Sequence, residues 1–313
     1  MLILVGIMKR IIDKTILLID GENLLHQSFH KFQNLHNSEG EPSGAIFGFF
    51  RSLRSLIIRF SASDVYITFD NGHSSIRDEL HPGYKSHRIN LDIDYNSLQK
   101  QKKVIMEMLS YLKIKYIYDK DKITNYEGDD LLAYTLLKYL PSKGIKPSNR
   151  RFIIISSDKD FNQLVHKSRI KIYNPRKDTL ISEYNCKELF GYTPQETVDY
   201  LIMVGDKSDD IKGFKGIGKV KARSILDKYG NIKSFLEEYP CKEYQEIYEL
   251  NRKLIDIPYF LNQYKLPLSK FPLIKYNDTH IEKTYFLDMC KYYSFRDIQD
   301  IIDTIIEYNL AKL

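Results

Sequence analysis

The sequence predicts an α/β protein with a doubly wound, mostly parallel sheet and a helical C-terminal region. Three observations carry that expectation. Strand-like apolar runs alternate with segments of helical periodicity up to about residue 180. Several of those runs stop at an acidic residue. From about residue 181 onward the apolar positions recur at helical spacing instead.

In order, Thr15–Ile19 (TILLI) reads as a β-strand ending at Asp20, and residues 44–60 (GAIFGFFRSLRSLIIRF) read as an amphipathic helix. Val65–Phe69 (VYITF) is the next strand, ending at Asp70. Residues 71–103 are polar, contain Pro82 and Gly83, and show no core-facing pattern, which in a compact domain marks a functional or mobile segment. A helix at about 98–112 and a short strand around 114–118 follow. Glu127 ends the connection into a helix at 129–139, and the isoleucine run Phe152–Ser157 reads as a buried strand. Helical periodicity then covers 194–204, 219–229 and 296–310. The expected division is a catalytic α/β domain at 1–180 and a helical region at 181–313.

Composition limits the function classes. A chain of 313 residues with 43% hydrophobic content can bury a substantial core. Cys186, Cys241 and Cys290 are odd in number, far apart and without C-x-x-C spacing, which argues against a disulfide framework or thiolate metal site and fits a reducing cytoplasm. The opening MLILVGIM is too short for a secretion signal and reads as a leader or edge strand, with Met8 an alternative start. No segment approaches the roughly 20 apolar residues of a membrane span.

The most informative feature is a set of nine carboxylates in five clusters, each after an apolar run: Asp20; Asp70; Glu127, Asp129 and Asp130; Asp158 and Asp160; Asp206 and Asp209. In a parallel α/β sheet the carboxyl ends of strands line one crevice, so these acids converge. Crowded like charges repel strongly, and hard, oxygen-only ligation suits magnesium or manganese as the compensation. Taking the nine from 41 acidic side chains leaves 32 against 47 basic ones, a balance suited to a polyanion. Singly, Asp20-Gly21 reads as a turn, Asp158-Lys159-Asp160 as a cap and Asp129-Asp130 as a helix start. Capping alone does not generate the ordered set.

The motifs D-G-x-N (Asp20, Gly21, Asn23), F-D-x-G (Phe69, Asp70, Gly72), R-x-E-L-x-P-x-Y-K-x-x-R (Arg77 to Arg88), E-x-D-D (Glu127 to Asp130), S-x-D-K-D and G-D-x-S-D follow in order. Together they resemble the 5′ nuclease or flap endonuclease family, which includes bacteriophage 5′–3′ exonucleases and the 5′ nuclease domain of bacterial DNA polymerase I. The likeness covers about residues 14–235 and is nearer to the stand-alone enzymes, since no polymerase is attached. It implies a PIN-like sheet with a helical arch over the polar stretch. It also implies two metal sites: Asp20, Asp70, Glu127, Asp129 and Asp130 at the first, and Asp158, Asp160, Asp206 and Asp209 at the second. The ions would be Mg2+, with Mn2+ as a substitute, and some acids would act through water.

In the arch, Lys85 and Arg88 lie three apart on one expected helical face and would neutralise phosphate charge, while Tyr84 would stack on a splayed base. His26, His73 and His87 read as surface residues, with His87 near phosphate; Lys100, Lys102 and Lys103 read as a solvated helix end. In G-F-K-G-I-G-K-V-K-A-R (213–223), Gly216 and Gly218 flank Ile217 before a helix, and Lys219, Lys221 and Arg223 add charge. This resembles the family's helix–three-turn–helix element, which implies a duplex grip and a K+ ion held by backbone carbonyls. Asp210, Ile76 and Glu22 depart from the usual pattern. The expectation is a monomeric, cytoplasmic 5′ nuclease acting on DNA with 5′ flaps, nicks or free 5′ ends, RNA–DNA primers included. The alternatives are a non-catalytic DNA-binding scaffold of this fold and an RNA-directed PIN-like nuclease lacking the turn. Residues 236–313 carry no assignment.

Overall fold

The structure is a computed structural model that describes residues 14–86, 94–274, 276, 282–293, 300, 303, 304 and 307. Six strands form its main sheet: β1 (Thr15–Asp20), β2 (Ala62–Phe69), β3 (Lys115–Tyr118), β4 (Arg151–Ile155), β5 (Ile170–Asn174) and β6 (Thr179–Ile181). Their order is β3-β2-β1-β4-β5-β6, parallel throughout except for the β5–β6 pair. The chain runs outward from β1 through β2 to β3, then returns to place β4 on the other side of β1. A crevice therefore opens at the carboxyl ends of β1 and β4.

Every residue of β1 is buried, as its unbroken apolar run requires for a central strand. Alternate side chains face opposite ways. Leu17 and Ile19 join the core beneath α1 (Gly21–Lys31), α2 (Gly44–Phe60) and part of α4 (Tyr95–Tyr111), to which Phe286 and Cys290 also belong, whereas Ile16 and Leu18 join the core beneath α5 (Gly128–Tyr134) and the helices of residues 186–263. Between β2 and α4 lies the short helix α3 (Ser75–Leu80). Helix α5 continues through a π-helical segment, Thr135–Tyr139, into Leu140–Ser142.

Beyond the sheet come α6 (Cys186–Phe190), α7 (Thr197–Val204), a two-residue hairpin of β7 (Gly205–Asp206) and β8 (Ile211–Lys212), then α8 (Lys219–Tyr229), α9 (Ile232–Glu238), α10 (Lys242–Ile255), α11 (Ile257–Gln263) and α12 (Lys283–Tyr292). Residues 272–274 return to the β3 edge, where the Tyr118 N–H donates to Pro272 at 3.2 Å and the Ile274 N–H to Tyr116 at 2.9 Å. That cover removes an exposed sheet edge. Among the described residues no helix is long and apolar enough to cross a membrane.

The polar stretch 71–103 departs from expectation. Its described residues do face the core, but largely through polar side chains: Arg77, Gln101 and Lys102 are buried there beside Leu98. Residues 82–85 form turns and Lys85 has φ +56°, so Tyr84 and Lys85 do not sit on a helix and the expected helical face is not observed. His87 and Arg88 lie outside the described residues, as do the opening MLILVGIM and most of 296–310.

Candidate active site

Strand β1 delivers Asp20 to the crevice as its last residue, and the same side chain caps α1. Its Oδ1 accepts the Asn23 N–H at 2.9 Å and its Oδ2 accepts the Ser156 hydroxyl at 2.7 Å. Asp70 follows β2 directly, and its Oδ1 accepts the Gly128 N–H. A Cβ at residue 128 would lie 2.6 Å from that oxygen, so glycine is what lets α5 begin against Asp70. Glu127, buried at the start of α5, accepts from Lys85 Nζ at 2.7 Å, the Tyr84 hydroxyl at 3.0 Å and the Ser74 N–H at 3.3 Å. Asp129 lies in the first turn of α5 and Asp158 follows β4. Asp20, Asp70, Glu127, Asp129, Asp158 and Lys85 all line one crevice of about 700 Å³.

A second group lies alongside. Asp160, Asp206 and Asp209 each present one oxygen, and the three oxygens lie within 4.8 Å of one another. The β7–β8 hairpin carries Asp206 into place and Asp209 sits in its turn. Asp206 accepts from the Ser208 hydroxyl at 2.6 Å and pairs with Lys159 at 2.9 Å. Asp158 faces both groups: it lines the main crevice with Asp20, lines an adjoining pocket with Asp206, and accepts the Asp160 N–H at 2.9 Å.

The charges are far from comfortable. Burial, then Asp70 and Asp158 against the opposing hydrogen bonds from Asn23 and Ser156, pushes Asp20 up to about 7. Burial, Glu22 and Glu127 push Asp70 up to about 6. Asp129 is raised well above the carboxylate range by burial, Asp20 and Asp158, and Asp160 by burial, Asp158 and Asp206. Glu127 goes the other way: burial raises it, but Lys85 and Arg77 outweigh burial and hold it at about 2. Asp160 Oδ1 is buried with no hydrogen-bond partner. An oxygen-only donor set with one unsatisfied buried carboxylate oxygen fits a hard divalent cation.

Three expected site residues, and one lysine expected at a solvated helix end, sit differently from expectation. Asp130 is withdrawn from the crevice: it is fully buried, both oxygens accept from Arg77 at 2.5 and 2.8 Å, and Oδ2 also accepts the Glu127 N–H. Its lone pairs are spent on holding Arg77 and the start of α5. Tyr84 is buried and donates its hydroxyl to Glu127, so its ring is not available for a base to stack upon. Lys102 is no solvated helix end; it is 3% exposed, and its Nζ reaches Glu22 and the Asp70 carbonyl, each at 2.6 Å. Arg223 donates to the Phe190 carbonyl at 2.9 Å and covers Gly191, which ties α8 to α6.

The glycine turn is built on other terms. Gly216 has φ +78°, and a Cβ at either Gly216 or Gly218 would meet nothing within 4 Å. Space on that side is open, and Lys215, Lys219 and Lys221 stand exposed around it. From beneath, the Tyr244 ring stacks on Phe214 at 4.5 Å and its hydroxyl donates to the Lys215 carbonyl at 2.8 Å.

Comparison with known proteins places this arrangement. Residues 15–191 match the 5′–3′ exonuclease N-terminal resolvase-like domain, and residues 192–266 match the 5′–3′ exonuclease C-terminal SAM fold. The chain belongs to the 5′–3′ exonuclease family. A 5′–3′ exonuclease of Aquifex aeolicus is 32% identical over 251 residues, spanning 78% of this chain and 82% of that protein. The thermostable DNA polymerase I of Thermus aquaticus is 32% identical over 222 residues, which take in 71% of this chain but 25% of the polymerase. Among solved structures, the bacteriophage T5 flap endonuclease in a pseudo-enzyme–product complex with DNA and metal ions aligns with TM-score 0.59 at 18% identity, over 95% of this chain and all of that one. The catalytic core of Rad2 in complex with DNA substrate aligns with TM-score 0.55 at 17% identity, over 96% and 93%. The eight acids expected at the metal sites that reach the crevice or its second group fall within the two matched exonuclease segments, as do Glu22, which also lines the crevice, the glycine turn and Lys85.

Proposed function

We propose that this protein is a metal-dependent, structure-specific 5′ nuclease that hydrolyses phosphodiester bonds in DNA carrying 5′ flaps, nicks or free 5′ ends, in replication and RNA primer removal. The observation that carries the reading is the convergence of Asp20, Asp70, Glu127, Asp129 and Asp158 on one crevice beside the Asp160, Asp206 and Asp209 group. Asp20, Asp70, Glu127, Asp129 and Asp158 would hold one divalent ion; Asp158, Asp160, Asp206 and Asp209 would hold the other. Mg2+ is the expected ion, with Mn2+ able to replace it. Such ions supply an activated water and charge stabilisation at the scissile phosphate.

The chain's own groups do the rest. Burial by itself would lower the pKa of Lys85, but Glu127, Tyr84 and Asp209 raise it well above the usual lysine value. Lys85 therefore remains cationic and serves as a hydrogen-bond donor to phosphoryl oxygens rather than as a base. It reaches that task from Glu127, its present partner at 2.7 Å, with Asp209 4.0 Å away. Lys219 and Lys221 at the glycine turn bind duplex phosphates, and the carbonyls of 213–218 take K+. Substrate choice follows duplex shape and phosphate contacts rather than base identity. The protein works as a cytoplasmic monomer.

The test is cleavage of end-labelled flap, nicked and single-stranded DNA with and without Mg2+. The expected result is cutting near the 5′ end of branched and nicked substrates that stops in a chelator. Undiminished cutting in chelator would overturn the metal-dependent reading, and no cutting of any substrate would leave a DNA-binding scaffold.

A further inference from the structure

Helix α10 touches both halves of the molecule's working surface. Near its first turn, Tyr244 stacks on Phe214 at 4.5 Å with the rings 3° from parallel, and its hydroxyl donates to the Lys215 carbonyl inside the glycine turn. Midway, the buried Asn251 amide donates to the Lys212 carbonyl at 2.7 Å and the Ile202 carbonyl at 3.1 Å, pinning the helix to the end of the β7–β8 hairpin and to α7. At the far end the Leu254 carbonyl accepts from Arg77, the residue that grips Asp130 behind Glu127. The next carbonyl, of Ile255, accepts from Gln163 in the turn that begins at Asp160, and Gln163 takes the Ile257 N–H in return. One rigid element thus abuts the supports of both acid groups and the underside of the glycine turn.

We infer that α10 is a spacer that fixes the duplex grip at a set distance from the cutting crevice, with Tyr244 as the positioning residue at the grip end. The inference rests on the reading that the turn at 213–218 holds duplex DNA. Residues 244 and 254 are about 15 Å apart along a helix rising about 1.5 Å per residue, too stiff an element to absorb a shift at one end. Successive phosphates on one strand are about 3.4 Å apart along the axis, so a grip displaced by that much presents the neighbouring linkage to the crevice. Loss of Tyr244 leaves the 213–218 segment without its stacking partner and without the hydrogen bond at Lys215. The grip would then sample several positions while the acids stay where they are.

The readout is the product ladder from an end-labelled flap substrate in Mg2+. Wild type should cut mainly at one linkage. Tyr244→Ala should raise the share of product cut at neighbouring linkages several-fold, with total single-turnover cleavage at saturating DNA near wild type; Tyr244→Phe, which keeps the stack, should broaden the ladder less. Thermal melting identifies a Tyr244→Ala protein that fails to fold, and Tyr244→Phe then decides alone. An unchanged ladder in a folded variant, with affinity alone reduced, would overturn the spacer role. Should neutralising Lys219 and Lys221 leave the salt dependence of duplex binding unaltered, the underlying reading of the turn fails, and the spacer inference fails with it; an unchanged Tyr244 ladder beside an altered salt dependence sinks the inference alone.

Discussion

The acidic crevice and the glycine turn differ in how much of their geometry the protein completes by itself. In the crevice three of the acids are held by hydrogen bonds: Asp20 by Asn23 and Ser156, Asp70 by Gly128, Glu127 by Lys85, Tyr84 and Ser74. At the turn the exposed side carries no such web, and Cβ positions at Gly216 and Gly218 open on empty space. Chemistry demands groups fixed before the substrate arrives, because reorganisation during the reaction would add to the barrier. Binding to a regular polyanion demands reach and charge, and the partner supplies the remaining order. Damage to the two regions should accordingly appear in different measurements.

The largest effect belongs to Asp158, the acid that faces both groups. Removing it should leave flap binding in place and lower cleavage by roughly a thousandfold or more, as when one member of a catalytic unit is deleted. Single-turnover cleavage and binding in Ca2+ measure the two quantities; a variant that cuts normally would dissolve the distinction between the regions. Lys85→Ala comes next. Its charge acts on the phosphate where negative charge develops, so the expected loss is about a hundredfold in kcat with little change in affinity. A loss confined to affinity would move Lys85 from the chemical half to the binding half.

Metal removal sharpens the same contrast through pH. Asp20 and Asp70 titrate at about 7 and about 6, above their ordinary value of 3.8, so the folded chain keeps protons that the unfolded chain has released. Stability from these groups is fully present below about pH 4 and is lost as pH rises towards about 7. Glu127, held at about 2 against its ordinary 4.5, contributes with the opposite sign: its stability is present above about pH 5 and is lost as pH falls towards about 2. A divalent ion needs the ionised carboxylates, so its stabilisation should grow with pH. The melting-temperature gain from added Mg2+ should be larger at about pH 7.5 than at about pH 5.5. An equal gain at both would mean that the crevice acids are not what the ion binds.

How legible these regions were from sequence follows the same division. Apolar runs ending in acids announced β1, β2 and β4, because a central parallel strand must be apolar along its length. Strands β5 and β6 escaped notice: IKIYN and TLI are short and interrupted by polar residues, and β6 is the sheet's edge strand. Asp130 could not be told from Asp129 by pattern, since helical rotation decides which of two neighbours meets Arg77. Lys102 looked solvated because a single buried lysine leaves no periodic mark; the signal available was Glu22, an extra acid requiring a partner. Tyr84 kept its place in the motif but turned its ring inward to reach Glu127. Residues 236–263, unassigned by sequence, prove to be the helices behind the turn and the crevice, a role written in tertiary contacts such as Tyr244 to Lys215.

The smallest expected effect tests the binding half. Lys219 and Lys221 lie exposed at the start of α8, neither drawn into the acid groups, and their loss leaves every crevice carboxylate in place. Each phosphate contact removed releases about one counterion fewer, so neutralising both should weaken duplex binding and reduce its salt slope by about one to two. Cleavage at saturating DNA should stay near wild type. Arg223 offers the internal control: its guanidinium is engaged with the Phe190 carbonyl, so Arg223→Gln should disturb the α6–α8 junction and melting temperature more than the salt slope. Flap affinity measured in Ca2+ across a salt series separates the two. A slope that drops with Arg223 and not with the lysines would relocate the grip to the α6 side of α8 and leave the open glycine face without a partner.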